Sequence, residues 1–195
     1  SVAVELCKRL GLCFYATEEQ IKVTKKKIEF KSKCLSSGVP VVKEYADEIQ
    51  YPCVVKPSDS YSAKGITIVH DRSELDAAIS YALSFSKTRR YLIEKYMSPD
   101  VADCVNIDYV IRDGEIRLSA VGDKKVIRQE NKAPITAAVL YPSKHQSEYI
   151  DNIDVKVKKM FADMGMRNGT VFIESFYDSD GFAVYEMGYR VGGGQ

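Results

Sequence analysis

The sequence predicts an α+β chain with two sheet-containing lobes, and three observations predict it. A lysine-rich helical stretch opens the chain, short β-type runs flank a polar loop just past Lys56, and the second half is rich in strands punctuated by Asp113-Gly114 and Ser179-Asp180-Gly181. At 195 residues the chain can bury a proper core without disulfides or structural metals.

Each element follows from its own spacing. Residues 4–10 have helical apolar spacing and stop at Gly11. Thr17 and Gln20 form a capping-box pattern for a second helix, in which Ile21, Ile28 and Leu35 are expected to continue one apolar stripe until Gly38 and Pro40. From Tyr51 the period changes. Cys53, Val54 and Val55 form a short strand ending in Lys56, the loop 57–64 is polar, and 66–69 supplies the returning strand after Gly65. Residues 73–86 read as an amphipathic helix with Leu75, Ala78, Ile79, Ala82 and Leu83 on one side, and 91–93 as a third strand.

The second lobe begins with strands at 105–111 and 116–121, joined at Asp113-Gly114, a strong hairpin signal, with 137–140 as a further strand candidate. Ser143 and Gln146 are expected to cap a long helix whose inward face is Ile150, Ile153, Val157, Met160, Phe161 and Met164, stopping at Gly165. Strands at 170–177 and 182–187 close the chain. The expected division is approximately 1–42 for leading helices, 43–96 for a small lid lobe and 97–195 for a larger lobe.

Composition narrows the partners. Lys plus Arg number 28 against 27 for Asp plus Glu, so a net charge of +1 supplies no field for nucleic acid or an anionic membrane, and small molecules are the expected partners. The five cysteines show no CxxC or Cys/His spacing and read as reduced thiols in a cytoplasm. No apolar run approaches the ~18 residues that span a bilayer. A start without Met and a stop at Gly-Gly-Gly-Gln, directly after the densest polar motif, suggest a piece of a longer protein.

Glu174 and Glu186 carry the most chemistry. They are twelve positions apart, and a three-residue turn at Ser179-Asp180-Gly181 would set them directly opposite one another on one face. Like charges so placed repel, and a divalent cation resolves the conflict, since two carboxylates, phosphate oxygens and water are how Mg²⁺ is held beside a nucleotide. Arg190, four positions on, suits charge on a transferred phosphoryl group. Arg190 or a lysine pairing with both glutamates on a solvated face is the competing reading.

Lys56 follows a strand expected to be buried, where an ammonium group calls for an anion such as phosphate. The loop after it offers Ser58, Ser60, Ser62, Ala63 and Gly65, small residues whose N–H groups can approach phosphate. It lacks GxxxxGK[ST], so it is not a P-loop, and a plain surface turn is the other reading. The link Glu94-Lys95-Tyr96-Met97 can read an adenine edge, with Ile93 and Met97 as apolar contacts. Lys27 by itself reads as a solvated helix position. His70 and His145 have no partners at ligand spacing, and no nucleophile elbow or RNA-binding aromatic motif is present.

In order, these segments resemble the ATP-grasp superfamily over nearly the whole chain. Lys27-Ile28-Glu29-Phe30-Lys31 with Gly38-Val39-Pro40 is similar to "DKxxFK…GVP", with Lys26 in place of Asp. The segments 51–57 (YPCVVKP), Asp59-Ser60 and Lys64-Gly65-Ile66 resemble "YPvvvKPvDssGSrGv", with Ser62 and Ala63 where that pattern has Gly and Ser. Residues 91–96 (YLIEKY) resemble the "vivEeY" hinge. Residues 170–174 and 185–194 are similar to "hvE…iEiNpRlGGg", with Gly188 in place of Asn.

The resemblance implies an ATP-grasp fold that binds ATP through Lys27, Lys56, Ser60, Ser62, Ala63, Lys64, Gly65, Glu94, Lys95, Tyr96 and Met97. It implies Glu174 and Glu186 as ligands of Mg²⁺, with Mn²⁺ as a substitute, and Arg190 as the catalytic cation. The activity implied is a carbamoyl-phosphate-synthase-like ligase that activates a carboxylate as an acyl phosphate for attack by an amine or related nucleophile. The branch of carbamoyl phosphate synthetase, biotin carboxylase and the purine carboxylases looks most similar; a Rossmann-like lobe precedes this domain there, and homodimers are common. A catalytically silent ATP-binding or interaction module is the alternative.

Overall fold

The computed structural model describes residues 2–60, 64–129 and 132–192, and all their side chains except those of 128, 129 and 132–134. Ser62 and Ala63 lie outside the described residues, as do Gly193 and Gly194.

Three helices lead. α1 (Val2–Arg9) buries none of its residues, whereas α2 (Glu18–Lys25) starts from Thr17 with both bonds of the capping box formed. The single helix expected from 17 to 38 is two, because Lys26 is extended (φ −106°, ψ 109°) and breaks it before α3 (Lys27–Ser36). The break lets the Lys27 N–H reach Ser58 O at 3.1 Å and turns Phe30, Lys31 and Cys34 inward. Leu35, expected on the buried stripe, is instead 63% exposed.

The smaller sheet contains β1 (Cys53–Pro57), β2 (Thr67–Val69) and β3 (Tyr91–Lys95), antiparallel in the order β2-β1-β3. Strand alternation sends Cys53 and Val55 toward α4 (Arg72–Phe85), which Asp71 caps, and leaves Val54 and Lys56 on the opposite face. Leu75, Ala78 and Ala82 of α4 complete this core.

The larger sheet contains β4 (Asp103–Arg112), β5 (Glu115–Gln129), β6 (Lys132–Leu140), β7 (Gly169–Asp178) and β8 (Gly181–Gly188), in the order β6-β5-β4-β7-β8. Positive φ at Asp113 (53°) and Gly114 (88°) makes the β4–β5 turn that the Asp-Gly pair predicts. Val105, Ile107, Tyr109, Ile111, Val171 and Ile173 point to one face and pack on Tyr149, Val157, Met160 and Phe161.

The expected long helix is α5 (Gln146–Tyr149), a π-helical turn (Ile150–Asp154) and α6 (Val155–Asp163). Ser143 does not cap it: its hydroxyl donates to Asp123 Oδ1 at 2.5 Å, and the helix starts after His145 with no side-chain cap. The wider turn rotates the helix phase, so Ile150 is 42% exposed while Asp154 is buried and accepts from the Tyr109 hydroxyl at 2.8 Å.

Segment 39–45 ties the two sheets together. Val42 N donates to Val184 O of β8 and Val184 N donates back to Pro40 O, while Tyr45 N donates to Ile93 O of β3 and Lys95 N donates back to Lys43 O. One extended segment thus edges both sheets, bridged to β8 at Val41 and to β3 at Glu44.

Candidate active site

The face of the larger sheet opposite the core carries the chemistry in rows. Lys124, Cys104, Phe176 and Ala183 are register partners in one row; Gly122, Asn106, Glu174 and Glu186 form the next; Ala120, Asp108, Phe172 and Gly188 the third. Glu174 and Glu186 are direct partners, as their spacing requires, but the route differs from expectation. Asp178 pairs with Gly181, so the turn has only Ser179 and Asp180 between paired residues, which would oppose Glu174 to Tyr185. A register shift at Glu174/Ser175 makes Tyr185 the extra residue and restores the Glu174–Glu186 pair.

A pocket of about 410 Å³ runs from Glu186 to α3, lined by Lys27, Asp59, Ser60, Glu186, Gly188 and Arg190 among others. Lys27 Nζ donates to Ser60 O at 2.6 Å, and burial together with the nearby Lys56 holds its ammonium below the usual lysine range. Glu186 is shifted the other way, upward, by burial and by the Glu174 charge beside it. Glu174 is paired within the sheet: Lys124 Nζ lies 2.5 Å from its Oε1, and burial together with the Glu174 charge pushes the neighbouring Tyr185 hydroxyl upward. The pairing lysine of the competing reading is therefore present, on one glutamate of the two.

Arg190 packs its guanidinium 4.8 Å from the Phe172 ring centre and donates to Val191 O. Phe172 also explains Gly188, since a Cβ there would stand 2.2 Å from the Phe172 ring. No side chain fits at 188 while that ring holds its place.

The second pocket, of about 200 Å³, lies between Val54 and Ile68 of the small sheet with the flanking Ile66 on one side and Val42, Met97 and Phe176 on the other. Lys56, Glu94, Lys95 and Tyr96 complete its walls. Tyr185, stacked on Phe176 with ring centres 4.5 Å apart, borders both pockets. Glu94 is buried, with Lys31 Nζ 2.7 Å from Oε1 and Lys56 on Oε2. Burial opposes its charge, but Lys56 and Lys31 outweigh it and hold the carboxyl below the usual range. Lys95 reaches across to Asp178 (2.9 Å) and Asp180 (3.2 Å), clasping β3 to the last hairpin.

Most residues singled out in the sequence converge here. Lys27, Ser60, Glu186 and Arg190 share the polar pocket and Lys56, Glu94, Lys95, Tyr96 and Met97 the apolar one, with Glu174 beside Glu186. Lys64 is exposed, and Gly65 backs onto α4, where a Cβ would meet Phe85 at 3.0 Å and Pro57 at 3.1 Å. Lys31, Lys124 and Tyr185 were not singled out. Lys31 sits one helical turn from Lys27, a spacing that signals a shared face; Lys124, in the run Gly-Asp-Lys-Lys, carries no such signal.

Two glutamate carboxylates offer hard oxygen donors suited to Mg²⁺. Among the described residues no group of three or more His, Cys, Asp or Glu side chains is placed to hold a metal. The pair therefore fits a cation that takes its other ligands from a phosphate chain and water, and does not fit a self-sufficient protein cage.

Comparison with known proteins agrees with this geometry. The family model described as D-ala D-ala ligase C-terminus matches residues 15–188. The carbamoyl phosphate synthase large chain, N-terminal section, of Methanopyrus kandleri is 38% identical over 79 residues, 40% of this chain and 13% of that protein. The D-alanine–D-alanine ligase of Acetivibrio thermocellus is 27% identical over 165 residues, 75% of this chain and 42% of that one. Among solved structures, the biotin carboxylase domain dimer of Hydrogenobacter thermophilus 2-oxoglutarate carboxylase, in complex with MgADP, ADP and bicarbonate, superposes with a TM-score of 0.75 at 22% identity. That match covers 97% of this chain and 45% of the other, so the chain spans less than half the length of these relatives.

Proposed function

The chain belongs to the family of the D-ala D-ala ligase C-terminus, with an ATP-grasp fold, and from that premise we propose that it binds Mg-ATP for a ligase that activates a carboxylate as an acyl phosphate for an amine or related nucleophile. The observation that carries this reading is the direct pairing of Glu174 with Glu186 at the junction of an apolar and a lysine-lined pocket.

In this reading the adenine ring occupies the apolar pocket between Val54, Ile68 and Phe176, with backbone groups of 95–97 at its edge. Glu174 and Glu186 hold Mg²⁺, which when bound supplies neutralisation of phosphate charge. Lys27 of α3 and Lys56 of β1 face the same phosphates, and Arg190 stabilises charge that develops on the transferred group. The Phe172 ring beneath Arg190 limits where that guanidinium can swing. A homodimer and a cytoplasmic setting belong to the same proposal. They are supported by the dimeric relative, by the free state of all five cysteines, and by the finding that no described helix is long and apolar enough to cross a membrane.

Calorimetry with Mg²⁺ and a non-hydrolysable ATP analogue tests the proposal. Binding is expected for the native chain, and loss of the Mg²⁺-dependent part in Glu174→Gln and Glu186→Gln; affinity that ignores both substitutions sinks the metal assignment. The second reading, a silent ATP-binding module, draws on the Phe172 ring that bars a third side-chain donor at Gly188. ATP bound without phosphate release across a panel of carboxylates and amines would favour it.

A further inference from the structure

Two buried lysines share one carboxylate. Glu94 Oε1 accepts from Lys31 Nζ at 2.7 Å and Oε2 pairs with Lys56, while Lys31, Lys56 and Glu94 are exposed by only 5, 7 and 4%. One cation balances one carboxylate, so one of the two ammonium groups is in excess.

Their surroundings separate them. Lys31 Nζ has three N–H donors and three acceptors around it: Glu94 Oε1, Val42 O at 2.9 Å and Glu44 Oε2 at 3.3 Å. It is thereby fixed between α3, segment 39–45 and β3. Among the described residues Lys56 pairs with Glu94 alone. It walls the apolar pocket, and its charge acts on Lys27 and Glu186 of the polar one. Lys31 lines neither pocket, although it sits one helical turn from Lys27. The lysine with a single tie therefore stands between the two cavities, and the lysine with three stands behind them.

The structure assigns Lys31 as a positioning residue: it keeps the Glu94 carboxylate balanced, which frees Lys56 to leave Glu94 for the phosphate chain of a bound nucleotide. This rests on the ligase reading above, which puts phosphates beside Lys56 although its ammonium is tied to a hinge carboxylate. With Lys31 in place the exchange leaves every charge paired, because Lys56 passes from one anion to another while Glu94 keeps its partner at 2.7 Å. Without Lys31 the same move strands a buried carboxylate, a heavily disfavoured state. Lys56 then stays on Glu94, and the phosphates lose a cation. Lys31 acts on the nucleotide through these two residues and touches no part of it.

Calorimetry on Lys31→Met tests this by comparing adenosine, which has no phosphate, with the non-hydrolysable ATP analogue and Mg²⁺. Affinity for the analogue should fall about tenfold, the scale of one charge-assisted contact, while affinity for adenosine stays within about twofold of native. A residue that only props the fold would weaken both ligands alike. Lys31→Gln keeps a donor for Val42 O and should show the same split if methionine does not fold. The double variant of Lys31→Met with Glu94→Gln supplies the second readout. With the competing carboxylate gone Lys56 is free again, so affinity for the analogue should return to within about threefold of native. Equal losses for adenosine and the analogue, or a double variant as weak as Lys31→Met, overturn the proposal and leave the ligase reading standing. A native chain with no preference for the analogue over adenosine overturns that reading, and the proposal falls with it.

Discussion

Lys124 Nζ stands 2.5 Å from Oε1 of Glu174, with the lysine side chain only 8% exposed, so one of the two paired glutamates is already balanced by a cation from its own sheet. Glu186, its register partner, has no such neighbour at ion-pair distance among the described residues. A divalent cation arriving alone therefore competes with Lys124 for Glu174, while one arriving with a polyphosphate brings an anion that the displaced ammonium can face.

Lys124→Gln should accordingly raise the affinity for Mn²⁺ alone by about tenfold, the scale of one charge-assisted contact, and lower the affinity for the metal–nucleotide complex. Mn²⁺ paramagnetic resonance with and without the ATP analogue reads both. Unchanged affinity for the free ion would show that Lys124 is not the competitor.

Lys27 predicts the alkaline limb of nucleotide binding. Its pKa is lowered by burial and by Lys56, so the folded chain sheds this proton below the usual 10.5 and affinity for the phosphate tail should fall as pH rises through the lowered value. In that window the unfolded chain alone keeps the proton, so stability rises with pH while binding declines. Lys27→Met should flatten both trends, checked by calorimetry and by denaturant titration from pH 7 to alkaline values.

Glu94 predicts the acid limb of stability. Lys56 and Lys31 hold it below its usual 4.5 against burial, so its contribution is present above the unfolded value and is lost as pH falls through the lower folded one. Glu94→Gln leaves two buried ammonium groups facing a neutral amide and should cost about 3–5 kcal/mol at neutral pH. Urea unfolding against pH should show a weaker acid dependence in the variant; a parallel curve would mean that Glu94 is not the group responsible.

Tyr109→Phe tests the core beneath the site. Its hydroxyl joins Tyr149 at 2.9 Å and Asp154 at 2.8 Å, and removing it strips a donor from a buried carboxylate that keeps Lys158. A loss of about 1–3 kcal/mol is expected, with nucleotide affinity unchanged because these groups lie on the opposite face of β4 from Asn106 and Asp108.

Much of this site was legible in the sequence because its determinants are local. The twelve-position spacing of Glu174 and Glu186, the Thr17 cap and the Asp113-Gly114 turn are properties of short segments, and each has its counterpart in the structure. What escaped depends on partners far along the chain. Lys124 meets Glu174 across fifty residues, and Lys31 meets Glu94 across sixty-three. The bulge that restores the glutamate pair leaves no compositional mark, and neither does the π-helical turn that rotates Ile150 outward. The helix break at Lys26 is likewise a tertiary outcome, since the Lys27 amide leaves the helical path for Ser58.

The extended segment 39–45 has the geometry of an axle. Its bonds to β8 end at Val42 and those to β3 begin at Lys43, so adjacent residues belong to different jaws and the peptide between them is the shortest lever the chain could provide. Lys31 bolts this point from behind, donating to Val42 O at 2.9 Å and pairing with Glu44 at 3.3 Å. A rotation about so short a pivot would change the gape at the rim of the cleft far more than the spacing beside Val42.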